Sequence, residues 1–137
     1  MLEFEGLNYW AIIVAWLVNA AVGAYWYSPK GFSKQWTKHT GIDILKIPEK
    51  QATNILLSVL ASALVQAFIL ALVINSLNAT TALHGLAVGA GLWLGFVAAT
   101  TVGTTLYSKR SWRFWWLNSS YFLIVMLINA VVLAIWR

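Results

Sequence analysis

Asn54–Leu77 reads NILLSVLASALVQAFILALVINSL, with no Asp, Glu, Lys or Arg anywhere in the run. A helix needs about 20 consecutive apolar residues to cross a bilayer core. A charged side chain at the centre of such a helix costs on the order of 2.5–3.5 kcal/mol on insertion. Three further runs are equally free of charge: Asn8–Tyr27, Ala82–Tyr107 and Trp115–Trp136. Each is too long for a core strand, and the alternation of an outer-membrane barrel is missing. The expected fold is therefore all-α, an integral membrane four-helix bundle in a single domain over residues 1–137. Its helices are expected near 8–27, 54–77, 82–107 and 115–136.

Composition agrees. The chain is 61% hydrophobic and 9% charged, whereas soluble domains are about one quarter charged, so it could not cover a water-facing surface. It has no cysteine, which excludes disulfides, thiolate metal sites and cysteine nucleophiles. The formal charge of +5 does not point to nucleic acid. The basic residues lie in short loops between apolar runs, where topology and lipid headgroups explain them. Glu3 and Glu5 precede the first run where a signal peptide would be basic, so that run is expected to be a retained span.

Loop charges orient the chain. Lys30, Lys34, Lys38, Lys46 and Lys50 fall in the first loop, and Lys109, Arg110 and Arg113 in the third; only Arg137 lies elsewhere. The positive-inside rule places both loops in the cytoplasm and both termini on the non-cytoplasmic side of the inner membrane. Tyr9 and Trp10 mark one interface. Tyr25, Trp26, Tyr27, Tyr107, Trp112, Trp115 and Trp116 mark the other. The short, uncharged loop Asn78–Thr81 predicts a tight antiparallel hairpin of the second and third helices.

The first loop predicts a helix of its own over 29–40. Ser28-Pro29 has the form of an N-cap followed by proline at the first helical position, and Gly41 that of a terminator. Lys30, Lys34 and Lys38 repeat every four residues, with Phe32 and Trp36 about 200° away. Such a helix would lie in the interface, against membrane lipids.

The third run holds two small-xxx-small pairs, Gly85 with Gly89 and Gly91 with Gly95, continued by Ala99 and Gly103. Glycines let helix backbones approach closely in lipid, where no hydrophobic force drives association. Ala11, Ala15, Asn19 and Gly23 offer a matching face on the first helix. Tight packing of those two helices is one reading; an oligomer seam or a glycine-lined path is the other. An offset of 80 residues also aligns Ala11, Ala15, Gly23, Tyr27, Ser28 and Trp36 with Gly91, Gly95, Gly103, Tyr107, Ser108 and Trp116. That is either a duplicated two-helix unit or what any two spanning helices share.

Uncharged polar residues at membrane depth need internal partners. Asn19, Gln66 and Asn129 are the candidate polar pocket, either as interhelical glue or as a binding site for a small solute. Ser58 and Ser62 share a face with Gln66, and Thr100, Thr101, Thr104 and Thr105 line the third helix. His84 reads as a capping or interfacial residue, and His39 as solvated. No charged residue lies inside the bilayer, which leaves no carboxylate proton relay or gating array. Glu3, Glu5, Asp43 and Glu49 are scattered at the two surfaces, and the two histidines lie on opposite sides. No catalytic residue, metal or cofactor is expected.

The run Gly23-Ala24-Tyr25-Trp26-Tyr27-Ser28-Pro29, followed by Phe32 and Trp36, resembles the signature of small four-helix bacterial membrane proteins catalogued as domain of unknown function 1761. Trp93, Gly95 and Phe96, leading into Thr100 and Leu106-Tyr107, are similar too. The resemblance covers nearly the whole chain and implies a prokaryotic integral membrane protein. It carries over no activity and no catalytic residue. Two functions are expected to compete. One is a non-catalytic protein that self-associates or packs against lipids or a membrane-protein partner. The other is an oligomeric channel or carrier for a small uncharged solute.

Overall fold

Asn8 begins the first helix by accepting the Trp10 and Ala11 amides on Oδ1 at 3.0 and 3.2 Å, satisfying donors that a helix start leaves orphaned. The structure, a computed structural model, describes residues 1–137. Its helices are α1 (Tyr9–Trp26), α2 (Ser33–Thr40), α3 (Glu49–Ser76), α4 (Ala82–Tyr107) and α5 (Trp112–Ile135). Thr81 and Ser111 cap α4 and α5, accepting the His84 and Phe114 amides at 3.2 Å each. Helix α3 begins just after Pro48, so its first turn carries Glu49 and Lys50 and precedes the uncharged run. All helices except α2 are long and apolar enough to cross a membrane. The protein is a multi-pass membrane protein built as a helical bundle.

The interfacial helix starts four residues later than the Ser28-Pro29 signal predicts. Ser28 is engaged in a turn, donating to the Tyr25 carbonyl at 2.7 Å and accepting from the Gly31 amide at 3.2 Å. The Phe32 amide then donates to Trp26 O at 2.7 Å. The chain thus folds back over the end of α1 and occupies carbonyls that helix termination leaves free. Gly31 is required there: a Cβ would stand 2.1 Å from Tyr25 O. Proline 29 sits in this turn, and α2 runs from Ser33 to the left-handed Gly41.

Helix α5 is the hub, packing against α1, α3 and α4. Helix α4 leans on α5 and makes no more than token contact with α1 or α3. The expected packing of the first and third spanning helices is therefore not made. Nor do α3 and α4, though joined by a short loop, form a packed hairpin, because the glycines that permit close approach face α5 instead. The arrangement lacks the symmetry a duplicated two-helix unit would impose: α1 meets α5, but α4 does not correspondingly meet α3.

A core of small residues lets α1, α3 and α5 converge: Ala11, Ala15, Ala67, Ala71, Ala130 and Ala134 are all buried together. Helix α4 approaches through Gly85 and Gly89. A Cβ on Gly85 would stand 2.6 Å from Ala130 O, and one on Gly89 would stand 2.9 Å from Met126 O. Steps of four from Gly89 lead to Trp93 and Val97, but a π-helical turn at Leu94–Ala98 inserts one residue. Ala98 and then Thr105 are buried in consequence.

Gly85→Ala is expected to lower stability by about 1–3 kcal/mol, since the obstructing atom is backbone. Gly103→Ala, where no atom lies within 4 Å of the new Cβ, is expected to leave stability unchanged or raise it. Unfolding by SDS titration in mixed micelles compares them; equal stability of the two variants would remove the close approach as the basis of the α4–α5 contact.

Candidate functional site

Two of the three amides of the expected polar pocket meet. Asn19 Nδ2 donates to Gln66 Oε1 at 2.9 Å, joining α1 to α3. Tyr121 Oη donates to Asn19 Oδ1 at 2.8 Å, joining α5 to both. Gly23 makes this possible, because a Cβ there would stand 3.1 Å from the phenol oxygen. Its role is thus to admit Tyr121, not to receive a helix backbone. Asn129 forms no hydrogen bond to either amide; it lies farther along α5, 1% exposed, with Oδ1 unpaired. Tyr121 was not legible as a member, since tyrosine in a spanning helix ordinarily reads as an interfacial anchor.

Several of the remaining polar groups are satisfied locally, whereas Ser119 Oγ and Trp26 Nε1 are buried without a partner. Ser58 and Ser62 donate to Asn54 O and Val59 O of their own helix, both at 2.9 Å. Thr100, Thr101 and Thr104 do likewise within α4. The mid-membrane tryptophans face neighbouring helices: Trp16 Nε1 donates to Leu60 O and Trp93 Nε1 to Ser119 O, both at 2.9 Å. Trp115 Nε1 reaches Thr101 Oγ1 at 3.1 Å.

At the end of the bundle bearing the termini, Asn75 of α3 gathers distant parts of the chain. Its Nδ2 donates to Glu3 O and Glu5 O at 3.1 and 2.9 Å, and Arg137 donates to its Oδ1 at 2.6 Å. At the opposite end, Phe32 packs against Trp26 at a 45° tilt with ring centroids 4.4 Å apart, and Trp36 meets the edge of Tyr27 at 6.3 Å. Lys34 and Lys38 of α2 are exposed, as is Lys30 in the turn that precedes it. The His39 ring lies 6.0 Å from Phe114, and its carbonyl accepts from Arg110. The His84 side chain is exposed at the start of α4.

The glycines of α4 divide into two faces. Gly91 follows Gly89 by two residues and so points about 200° away. Where Gly85 and Gly89 press on α5, a Cβ on Gly91, Gly95 or Gly103 would meet no atom within 4 Å. One small-xxx-small pair is occupied within the chain, and the other is open.

A family model described as Protein of unknown function (DUF1761) matches residues 10–134, from the start of α1 almost to the end of α5. No curated protein and no solved structure matches the chain.

Tyr121→Phe is expected to cost about 0.6 kcal/mol, the usual worth of an interhelical hydrogen bond in a membrane. Asn19→Leu should cost more, about 1–2 kcal/mol, because it strands both Gln66 and Tyr121. SDS titration of the two variants reads the difference, and a neutral Asn19→Leu would show that the cluster does not hold the helices together.

Proposed function

We propose that this chain, which belongs to the DUF1761 family, is a non-catalytic membrane protein that self-associates through the open glycine face of α4. The observation that carries the reading is the division of the glycines: Gly85 and Gly89 press on α5, while Gly91, Gly95 and Gly103 meet nothing. Each glycine lowers helix propensity by about 1 kcal/mol relative to alanine. An outward row of them needs a reason that lipid alone does not supply. Close approach of a second helix supplies one, through dispersion contacts between backbones. A second copy is the fitting occupant because a twofold axis sets the same face against itself.

The alternative of a channel or carrier rested on polar side chains lining a path. Asn19 is bonded to Gln66 and Tyr121, and Thr100, Thr101 and Thr104 are bonded to their own helix, which weakens that reading. In the membrane we orient the chain with the loops holding Lys30–Lys50 and Lys109–Arg113 in the cytoplasm, the termini lying on the non-cytoplasmic side.

Gly95→Leu should convert the assembly to monomers in native mass spectrometry while leaving the unfolding curve of the protomer unchanged. Wild-type stoichiometry in Gly95→Leu and Gly91→Leu together would refute the seam. Orientation is open to direct labelling, since the chain has no native cysteine. In intact cells a membrane-impermeant maleimide should label Asn78→Cys at once and Lys109→Cys only after permeabilisation. The opposite order would invert the topology.

A further inference from the structure

The first loop borders an open cleft. Phe32 and Trp36 hold α2 against the end of α1. Beyond Gly41, in the left-handed conformation at φ 75°, the chain turns back along α2. Pro29, Ser33, Lys34, Thr37, Asp43 and Leu45 then line a space of about 330 Å³.

One side of the cleft is rich in donors. Phe32 at the N-cap of α2 offers no side-chain acceptor, and the Lys34 and Gln35 amides in the first turn bond to no carbonyl. A helix start in that condition favours an anion. Ser33 points the same way: the residue lines the cleft, is only 6% exposed, and its solvent-reaching hydroxyl bonds to no protein group. The Lys34 ammonium adds positive charge. Asp43 supplies the opposite sign. Its Oδ1 accepts the Leu45 amide at 3.1 Å, and Oδ2 lies 3.7 Å from the exposed Lys46 ammonium. An exposed pair at that distance neutralises little, so the carboxylate remains a site for a cation.

We propose that this cleft binds the phosphoethanolamine headgroup of a membrane phospholipid. The phosphodiester would lie on Ser33, Lys34 and the amides of α2, and the primary ammonium on Asp43. Pro29, which lines the cleft, follows the aromatic Trp26-Tyr27 end of α1 by two residues, and this puts the cleft at headgroup level. Selectivity follows from the two signs. A phosphoglycerol headgroup would set no cation against Asp43. A phosphocholine headgroup would bring a quaternary ammonium that donates no hydrogen bond.

The test is native mass spectrometry of the full chain in detergent containing equal amounts of phosphatidylethanolamine, phosphatidylglycerol and phosphatidylcholine. The wild type should retain phosphatidylethanolamine preferentially. Lys34→Gln should weaken that retention about tenfold, the loss of one charge-assisted hydrogen bond, while Lys109→Gln, outside the cleft, should leave it unchanged. Asp43→Asn keeps an acceptor for the Leu45 amide and so preserves the turn; it should shift preference toward phosphatidylglycerol. An unchanged lipid ratio in Asp43→Asn, or an equal loss in Lys109→Gln, would overturn the proposal. Soluble glycerophosphoethanolamine in large excess should not displace the lipid, and displacement would overturn the assignment to a membrane source. Oligomer number is read in the same spectra and depends on α4, so failure of the cleft and failure of the seam are separately visible.

Discussion

Close approach between helix backbones is the constraint on which the bundle rests. Lipid tails are as apolar as leucine, so burial of side chains does not hold spanning helices together; shape and dispersion do. Small residues are placed where helices meet: Ala11 and Ala15 on α1, Ala67 and Ala71 on α3, Gly85 and Gly89 on α4, Ala130 and Ala134 on α5. The large apolar residues Leu56, Leu57, Val65, Leu94 and Phe96 are turned outward. A soluble bundle would show the reverse arrangement. Helix α5 becomes the hub because its alanines serve two neighbours, the α1–α3 pair on one side and α4 on the other.

Polar groups refine this packing. The Asn19–Gln66–Tyr121 chain ties three helices at one depth, and the indoles of Trp16 and Trp93 tie pairs of helices by donating to backbone carbonyls. A main-chain carbonyl in a helix retains a second lone pair, so it can accept an indole without surrendering its own helical bond. Tryptophan thereby acts within the membrane as a large apolar residue with one directional contact.

Much of the fold was legible in the sequence because the signals are one-dimensional. The absence of charge over Asn54–Leu77 and its three counterparts is read directly along the chain. Partners across the bundle were not legible. Gly85-Gly89 and Gly91-Gly95 look alike in sequence, and only the placement of α5 separates an occupied pair from an open one. Helix α2 starts later than the Ser28-Pro29 signal predicts because its serine is taken by a turn, and Gly31 marks where the chain folds back over the end of α1. Of the candidate pocket, Asn19 and Gln66 come together, whereas Asn129 lies elsewhere on α5 and Tyr121 takes the third place. Depth along a helix is readable from sequence, but rotation about its axis depends on neighbours.

The hub position of α5 bears on the order of synthesis. It follows α1, α3 and α4 in the chain, so a ribosome delivers the common neighbour after the helices that depend on it. Until α5 enters the membrane, α1 and α3 have each other, while α4 waits alone with both glycine faces bare to lipid. The Asn75 junction closes later still, because its Arg137 arm lies beyond α5. Insertion of a single helix thus converts a pair and a lone segment into one body, and concentrates the tertiary assembly of the chain into a final step.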